Sequence, residues 1–309
     1  MANLMRYLFI FNPAADKGRA SRKSRWLANL LSRRDDSSMV ETCRAGHAGE
    51  IAGRETGKNT SVIACGGDGT LHEVVNALAG ESVKIGILPV GSANDFIKSL
   101  DPGRSRASGV SHFFDALSRR VDLGRVSYGN EEERYFINSL GIGFTGRVAK
   151  AVKSASWLKG ELGYLYALFS VLIGYTPPKM HIKITGEDSL WELHEPVFAF
   201  SVSNGRVEGG KFRIAPQAEI SDGLLDVCIL KAVSKYEFFR YVLKYLDGSQ
   251  IHDSKVLYCK ARAVEVGLSA PDVMHMDGEV YDGIEGRVSI TVVPEGVHML
   301  CGIQEDAKP

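Results

Sequence analysis

The chain lacks a charge excess of either sign. Lys plus Arg and Asp plus Glu each number 37 in 309 residues, so no bulk field draws it to nucleic acid, and nucleic acid is not an expected partner. Cysteine is sparse. The five cysteines, Cys43, Cys65, Cys228, Cys259 and Cys301, are scattered, odd in number and free of CxxC spacing. That argues against a disulfide framework and a zinc site and fits a reducing cytoplasm. Long apolar runs are also missing: the longest, Tyr164 to Tyr175, is about half of the ~20 residues that span a bilayer, and Pro177 and Pro178 follow it. The residues from Met1 to Arg6 lead straight into a strand-like run, without the pattern of a signal peptide. Repeats and low-complexity segments are absent as well.

With 44% hydrophobic and 24% charged residues the composition is that of a globular protein. Its length exceeds what one core usually fills, so two domains are expected. The organising stretch is Cys65-Gly66-Gly67-Asp68-Gly69-Thr70-Leu71-His72-Glu73, between an apolar run from Ser61 and a helix-like segment from Leu71 to Ala79. Strand, glycine turn and helix N-terminus form a place where an α/β sheet holds phosphate, because glycine backbone approaches closely and free N–H groups point outward. The plainer reading is a capping box, Thr70 as N-cap with Glu73 three residues on. It leaves the glycines and Asp68 unexplained. A carboxylate beside a polyphosphate needs a cation between them, so Asp68 hints at nucleotide with Mg²⁺.

Strands alternate with helices through the first third: Arg6 to Phe11, Met39 to Cys43, Ser61 to Cys65 and Val83 to Leu88, with helices near Ser21 to Leu31 and His47 to Glu55. This pattern predicts an α/β domain, doubly wound, with a mostly parallel sheet whose ligand sits outside the carboxyl strand ends. Three polar loops converge there, at Asn12 to Arg19, Gly66 to Thr70, and Pro89 to Phe96 with Asn94 and Asp95. Taken alone, Asn94-Asp95 reads as a helix N-cap. Beyond Val121-Asp122-Leu123-Gly124 short strands dominate, predicting a β-rich, mainly antiparallel second domain. The expected domains are residues 1–126 with a return near 295–309, and 127–294.

With these motifs the chain resembles the diacylglycerol kinase and sphingosine kinase family in its compact bacterial lipid-kinase form. The similarity continues through Asn138-Ser139-Leu140-Gly141-Ile142-Gly143-Phe144, Ser221-Asp222-Gly223-Leu224-Leu225-Asp226 and Asp277-Gly278-Glu279, and so covers nearly the whole chain. The resemblance implies ATP bound between the two domains and its γ-phosphate passed to a lipid hydroxyl, that of diacylglycerol or a related glycerolipid. It places Asn12, Thr42, Gly66, Gly67, Asp68, Gly69, Thr70, Leu71, His72, Glu73, Ser92 and Asn94 at ATP. Asp68, Asp95 and Asp122 would reach the nucleotide's Mg²⁺ through water. Asp222, with backbone oxygens near Glu219 and Leu224, would hold a second, structural Mg²⁺. Asp277 and Glu279 would remove the acceptor's proton, with Asp68 also counted as catalytic. Ser92 stands where the family often has Thr, and His72 where Asn is common.

Each later motif also has a plainer reading. Asp277-Gly278 between apolar runs is a hairpin turn signal, and Ser221-Asp222-Gly223 a β-turn. The run from Gly205 to Lys211 has P-loop spacing, but Phe212 replaces the Ser or Thr that would hold Mg²⁺, so it is rejected. His181, His194 and His252 read as ordinary residues, while His275 falls near the Asp277 hairpin. The segment from Trp157, Leu158 and Lys159 through Leu165 to Ile173 is either a core helix or one whose edge lines an acyl cleft or touches a bilayer, with Lys153 and Lys159 near headgroups. The expectation is a lipid kinase in the cytoplasm, peripherally associated with the membrane where its substrate lies, with a homodimer left open. Its rivals are an NAD kinase, which shares the glycine turn, and a nucleotide- or lipid-binding protein without turnover.

Overall fold

Every position of β3 (Thr60–Gly66) is buried, as its unbroken run Val62-Ile63-Ala64-Cys65 demands of a strand covered on both faces. A computed structural model describes residues 5–101, 110–129, 133–155 and 160–301. In it β3 pairs in parallel with β1 (Arg6–Phe11) and β4 (Lys84–Pro89), and β1 pairs in parallel with β2 (Ser37–Glu41). The end of the last strand adds His298 and Met299 beside β4, again in parallel. Phe9, Phe11, Ile63, Cys65 and Leu88 pack with Phe113 and with Leu27 and Leu31 of α1 (Ser24–Leu31). The alternate residues Ile10, Val62, Ala64, Ile85 and Ile87 are buried too, so both faces of the sheet are covered. Helices α2 (His47–Gly53) and α3 (Asp68–Leu78) pack on each other, and a short α4 (Ile97–Leu100) follows β4.

The chain divides into two compact units, Met1–Val121 with Glu295–Pro309, and Asp122–Pro294. The division falls inside β5 (Leu117–Tyr128), where the sequence reading set it at 126/127. Four exposed residues, Leu117 to Arg120, of which only Leu117 is apolar, open that strand, so no apolar run marks its start.

The second unit contains β6 (Arg134–Phe136), β7 (Ser139–Gly143), α5 (Phe144–Ser154), α6 (Gly160–Gly174), β8 (Lys179–Thr185), β9 (Leu190–Ser203), β10 (Leu225–Lys231), α7 (Lys235–Asp247), β11 (Val256–Ala261), β12 (Ala263–Met276) and the greater part of β13 (Glu279–Cys301). Its strands pair antiparallel in the order β11-β10-β9-β7-β12-β13, with β8 bonded to both β9 and β12. Alternation sorts the side chains. Phe200, Val202, Val227 and Ile229 join one core, while Phe198, Cys228 and Leu230 face a second core shared with α5, α6 and α7. The second half is therefore the expected β-rich unit. Trp157, Leu158 and Lys159 lie outside the described residues, as does the loop 103–109.

Helix α5 lies so close to β12 that a Cβ on Gly146 would stand 2.1 Å from the carbonyl oxygen of Val273. A methyl group there must push the helix off the sheet. Gly146→Ala is expected to destabilise the protein by about 1–3 kcal/mol, read as a lower urea midpoint at constant slope. An unchanged midpoint would show that the helix is free to shift.

Candidate active site

The turn after β3 approaches the turn after β4 closely enough to exclude side chains. A Cβ on Gly91 would fall 2.4 Å from the Cα of Gly67, and one on Gly66 would fall 2.2 Å from Oγ1 of Thr70. The N–H groups of Val90 and Gly91 both donate to the carbonyl of Gly66, at 3.0 Å each. Helix α3 then begins at Asp68, with extended Gly67 as its N-cap. Thr70 is thus inside the helix rather than capping it. Its Oγ1 accepts from Asn12 Nδ2 at 2.9 Å, and Glu73 turns away to accept the N–H groups of Gly46 at 2.8 Å and Ala48 at 3.0 Å. The capping box is not formed, and Glu73 holds the start of α2.

Two more bonds close the circle of loops. Asp68 Oδ1 accepts the N–H of Asp95 at 2.7 Å and, more weakly, of Phe96 at 3.4 Å. Ser92 Oγ donates to Asp16 Oδ1 at 2.8 Å, tying the β4 loop to the β1 loop. Asp16, Lys17 and Gly18 all have left-handed φ, at 51°, 56° and 82°, so the β1 loop folds back tightly. The three loops expected to converge are joined pairwise. Asn94, at φ 49°, donates from Nδ2 to the Gly91 carbonyl, while its Oδ1 is buried without a hydrogen-bond partner. Asp95 is nearly buried and meets Lys98 Nζ at 2.7 Å. Thr42 follows β2 and donates its backbone N–H to Phe11, and Leu71 and His72 are buried in α3, with His72 beside Asn76. Asn94-Asp95 is no N-cap, since α4 starts after Phe96 without a side-chain cap.

Asp122 is fully buried in the second unit. Its Oδ2 accepts the N–H of Gly223 at 2.7 Å and its own N–H donates to Ile220, so it organises the Ile220 to Gly223 turn. On that turn Asp222 accepts from Leu224 N–H at 3.1 Å and pairs with Lys260 Nζ. Lys260 lies opposite Asp226 across the β10–β11 ladder. Burial lifts the Asp226 carboxyl above the ordinary range, with the Tyr258 hydroxyl and Lys260 opposing it. Glu219 is exposed, and Leu224 is buried. Asp222 thus meets Lys260 as its cation in this structure.

A hairpin joins β12 to β13 through Asp277 and Gly278, with φ 51° and 83° and Met276 paired to Glu279. Positive φ at both centres is the type I′ signature that an Asp-Gly pair favours. Both oxygens of Asp277 are taken by backbone: Oδ1 by Asn138 at 2.8 Å and Ser139 at 3.1 Å, Oδ2 by Ile137 at 3.1 Å. These bonds interrupt the strand expected from Arg134 to Ser139. Glu279 is 41% exposed, and its Oε2 meets Lys153 Nζ at 2.6 Å. Lys153 ends a ladder on α5 in which Arg147 pairs with Asp272 and Lys150 with Asp282. This pairing of Lys153 is not among the sequence expectations, which put it near headgroups only where the following helix touches a bilayer. The signal was present as three bases at i, i+3 and i+6 on one helix face.

Beneath the hairpin, His275 is 1% exposed and its Nε2 is 3.2 Å from Glu208 Oε1. Glu208 bridges to Phe212 in the rejected P-loop segment, which forms a bend and not a strand-to-helix turn. Burial disfavours the imidazolium, yet Glu208, with a smaller push from Asp277, lifts the His275 pKa above its usual value. Glu208, despite burial, is lowered, chiefly by His275. A raised histidine stabilises the fold fully below its unfolded pKa, about 6.5, and loses that as pH rises through the folded value. A lowered glutamate stabilises above about 4.3 and loses it as pH falls through the folded value. The pair therefore stabilises most between about pH 4.3 and 6.5. The urea midpoint should decline from pH 6.5 toward 9 more steeply in the wild type than in His275→Gln/Glu208→Gln; parallel profiles would contradict the pairing.

Residues 6–126 match the diacylglycerol kinase catalytic domain, and residues 138–301 match the YegS C-terminal NAD kinase beta sandwich-like domain. The chain is 32% identical over 227 residues to the diacylglycerol kinase of Bacillus subtilis (strain 168), covering 72% of each. It is also 32% identical over 252 residues to a Pectobacterium atrosepticum protein named probable lipid kinase YegS-like, covering 78% of each. The crystal structure of a diacylglycerol kinase from Bacillus anthracis str. Sterne has the same fold, with TM-score 0.70 and 20% identity over 98% of this chain and 99% of that one. By its sequence matches and its motif-bearing turns, the chain is a kinase and belongs to the bacterial lipid kinase family built on the diacylglycerol kinase catalytic domain.

Proposed function

We propose that this kinase passes the γ-phosphate of ATP to the hydroxyl of diacylglycerol or a related glycerolipid, with Mg²⁺ as its metal. The observation that carries the reading is the cradle at Gly66, Gly67 and Gly91. It is backbone-lined because a Cβ at Gly91 would clash at 2.4 Å, and it is flanked by the buried, unpartnered Oδ1 of Asn94. A polyphosphate needs close backbone approach and the N-terminus of a helix such as α3, and an adenine or ribose donor would satisfy that oxygen. Asn12, Thr70 and Ser92 lie on the same three loops, and Thr42 follows the neighbouring strand β2. Asp68 and Asp95 are the carboxylates suited to hold the metal through water. Mg²⁺, when bound, spreads the negative charge of the transferred group.

The protein's own chemistry is placement. Asp277, with three backbone N–H bonds, fixes the hairpin, leaving Glu279 as the carboxylate to take the proton from the lipid hydroxyl. Lys153 orients Glu279 through the pair at 2.6 Å. A loose phosphoryl transition state asks little of that base beyond position. Asp122 supports the turn that bears Asp222.

Incubation with labelled ATP, Mg²⁺ and a panel of lipids in mixed micelles, read by mass spectrometry, should give a product one phosphoryl group heavier from a glycerolipid. Glu279→Gln should lower kcat by about 10²–10⁴-fold while ATP binding is retained. Asp68→Ala should lose most activity and weaken nucleotide binding. Full activity of both folded variants, or transfer to NAD and to no lipid, would refute the assignment.

A further inference from the structure

We propose that the outer face shared by α6 and α7 docks the kinase on an anionic lipid bilayer. Between Gly163 and Gly174 α6 has no charged residue. Its inner residues Ala167, Leu168 and Leu172 are buried, yet Leu165, Phe169 and Ile173, at successive i+4 positions, remain 42%, 44% and 77% exposed. Helix α7 is built the same way. Phe238, Tyr241 and Tyr245 point inward, while Tyr236, Phe239 and Leu243 are 87%, 42% and 68% exposed. Phe169 and Phe239 lie 5.6 Å apart between ring centroids, so the two stripes form one patch. Single exposed apolar residues are ordinary; a patch continuous across two helices marks an interaction surface.

Charge identifies the occupant. Arg240 is exposed among Tyr236, Phe239 and Leu243, and it makes no ion pair among the described residues. Lys235, also exposed, donates to the carbonyl of Ile173 and links the end of α6 to the start of α7. The acids of α7 are engaged elsewhere: Glu237 closes the capping box with Ser234 and pairs with Lys255, and Asp247 accepts the N–H of Ser249. Aromatic and aliphatic side chains around a free cation are the composition of a helix that lies in a lipid interface, where anionic headgroups meet the base. The patch also belongs to the acceptor half, since α6 packs on α5, whose Lys153 holds Glu279. The inference rests on the lipid-kinase reading in one respect: the acceptor resides in a bilayer.

The test is sedimentation of the full chain with vesicles of phosphatidylcholine alone and of equal parts phosphatidylcholine and phosphatidylglycerol. The wild type should pellet with the anionic vesicles. Phe239→Ser/Leu243→Ser should lower that partitioning by roughly tenfold or more, and Arg240→Gln, wholly on the surface, by about fivefold. Phosphorylation of a short-chain acylglycerol dispersed as monomers should remain at the wild-type rate in both. Folded variants that bind anionic vesicles like the wild type would overturn the proposal. So would a wild-type dimer that becomes monomeric in the double variant with vesicle binding unchanged, since a second copy would then cover the face. Loss of vesicle binding in the variants, with no lipid phosphorylated by the wild type, would uphold the docking face and refute the reaction instead.

Discussion

The close approach of Gly67 and Gly91 is the constraint on which the first unit's functional half depends. Two strand-ending turns meet there with room for backbone alone, since a Cβ at Gly91 would lie 2.4 Å from its neighbour's Cα. Once they touch, the Asp68 carboxylate is within reach of the Asp95 amide, and that bond sets where the β4 loop leaves the sheet. A hydrogen bond to an ionised group is worth about 1.5–3 kcal/mol net, enough to hold a loop whose residues would otherwise disperse. Asn12 to Thr70 and Ser92 to Asp16 complete a ring of loops at the carboxyl ends of parallel strands. Each bond alone is modest. Together they fix a concave backbone surface before any ligand arrives, which is what placement chemistry requires.

The second unit uses the same device with different parts. Asp277 gathers the amides of Ile137, Asn138 and Ser139 as Asp68 gathers that of Asp95, so in both units a carboxylate pins a turn through main-chain donors. Glu279, two residues beyond, is left for the α5 ladder to orient. Buried His275 and half-buried Glu208 lie under the hairpin as a pair, and their mutual attraction must exceed the desolvation that opposes each charge. The hairpin is thus held from below by ions, from the side by amides and from the helix by Lys153.

Much of this was legible in order along the chain. Buried parallel strands announced themselves as continuous apolar runs, the convergence of three polar loops followed from alternating strands and helices, and Asp277-Gly278 carried its turn type in two letters. What the sequence hid was long-range pairing. Glu73 looked like half of a capping box because Thr70 stood three residues before it, yet its carboxylate serves Gly46 and Ala48, which no local pattern reveals. Asp222 reads locally as part of a β-turn, and its pairing with Lys260, far along the chain but opposite Asp226 on the next strand, has no local signal. β5 lacked a signal because its first four residues, Leu117 to Arg120, are all exposed and three of them are polar. Local signals specify elements and turns; the partner of a charged side chain depends on register, which only the assembled sheet defines.

That distinction bears on how such a site divides its labour. Asp68, Asp122 and Asp277 each accept at least one backbone N–H, so each contributes to the fold as well as offering negative charge. Removing any of them leaves main-chain donors unpaired as well as subtracting a charge, and the two losses would be conflated in a simple activity assay. Glu279 is different: its side chain is 41% exposed and pairs with Lys153 on a helix, and among the described residues no backbone N–H donates to it. A group that must gain and lose a proton in each cycle has to alter its charge without unfastening a turn. On the proposed reading Glu279 meets that condition and Asp277 does not, because an amide nest has already claimed Asp277.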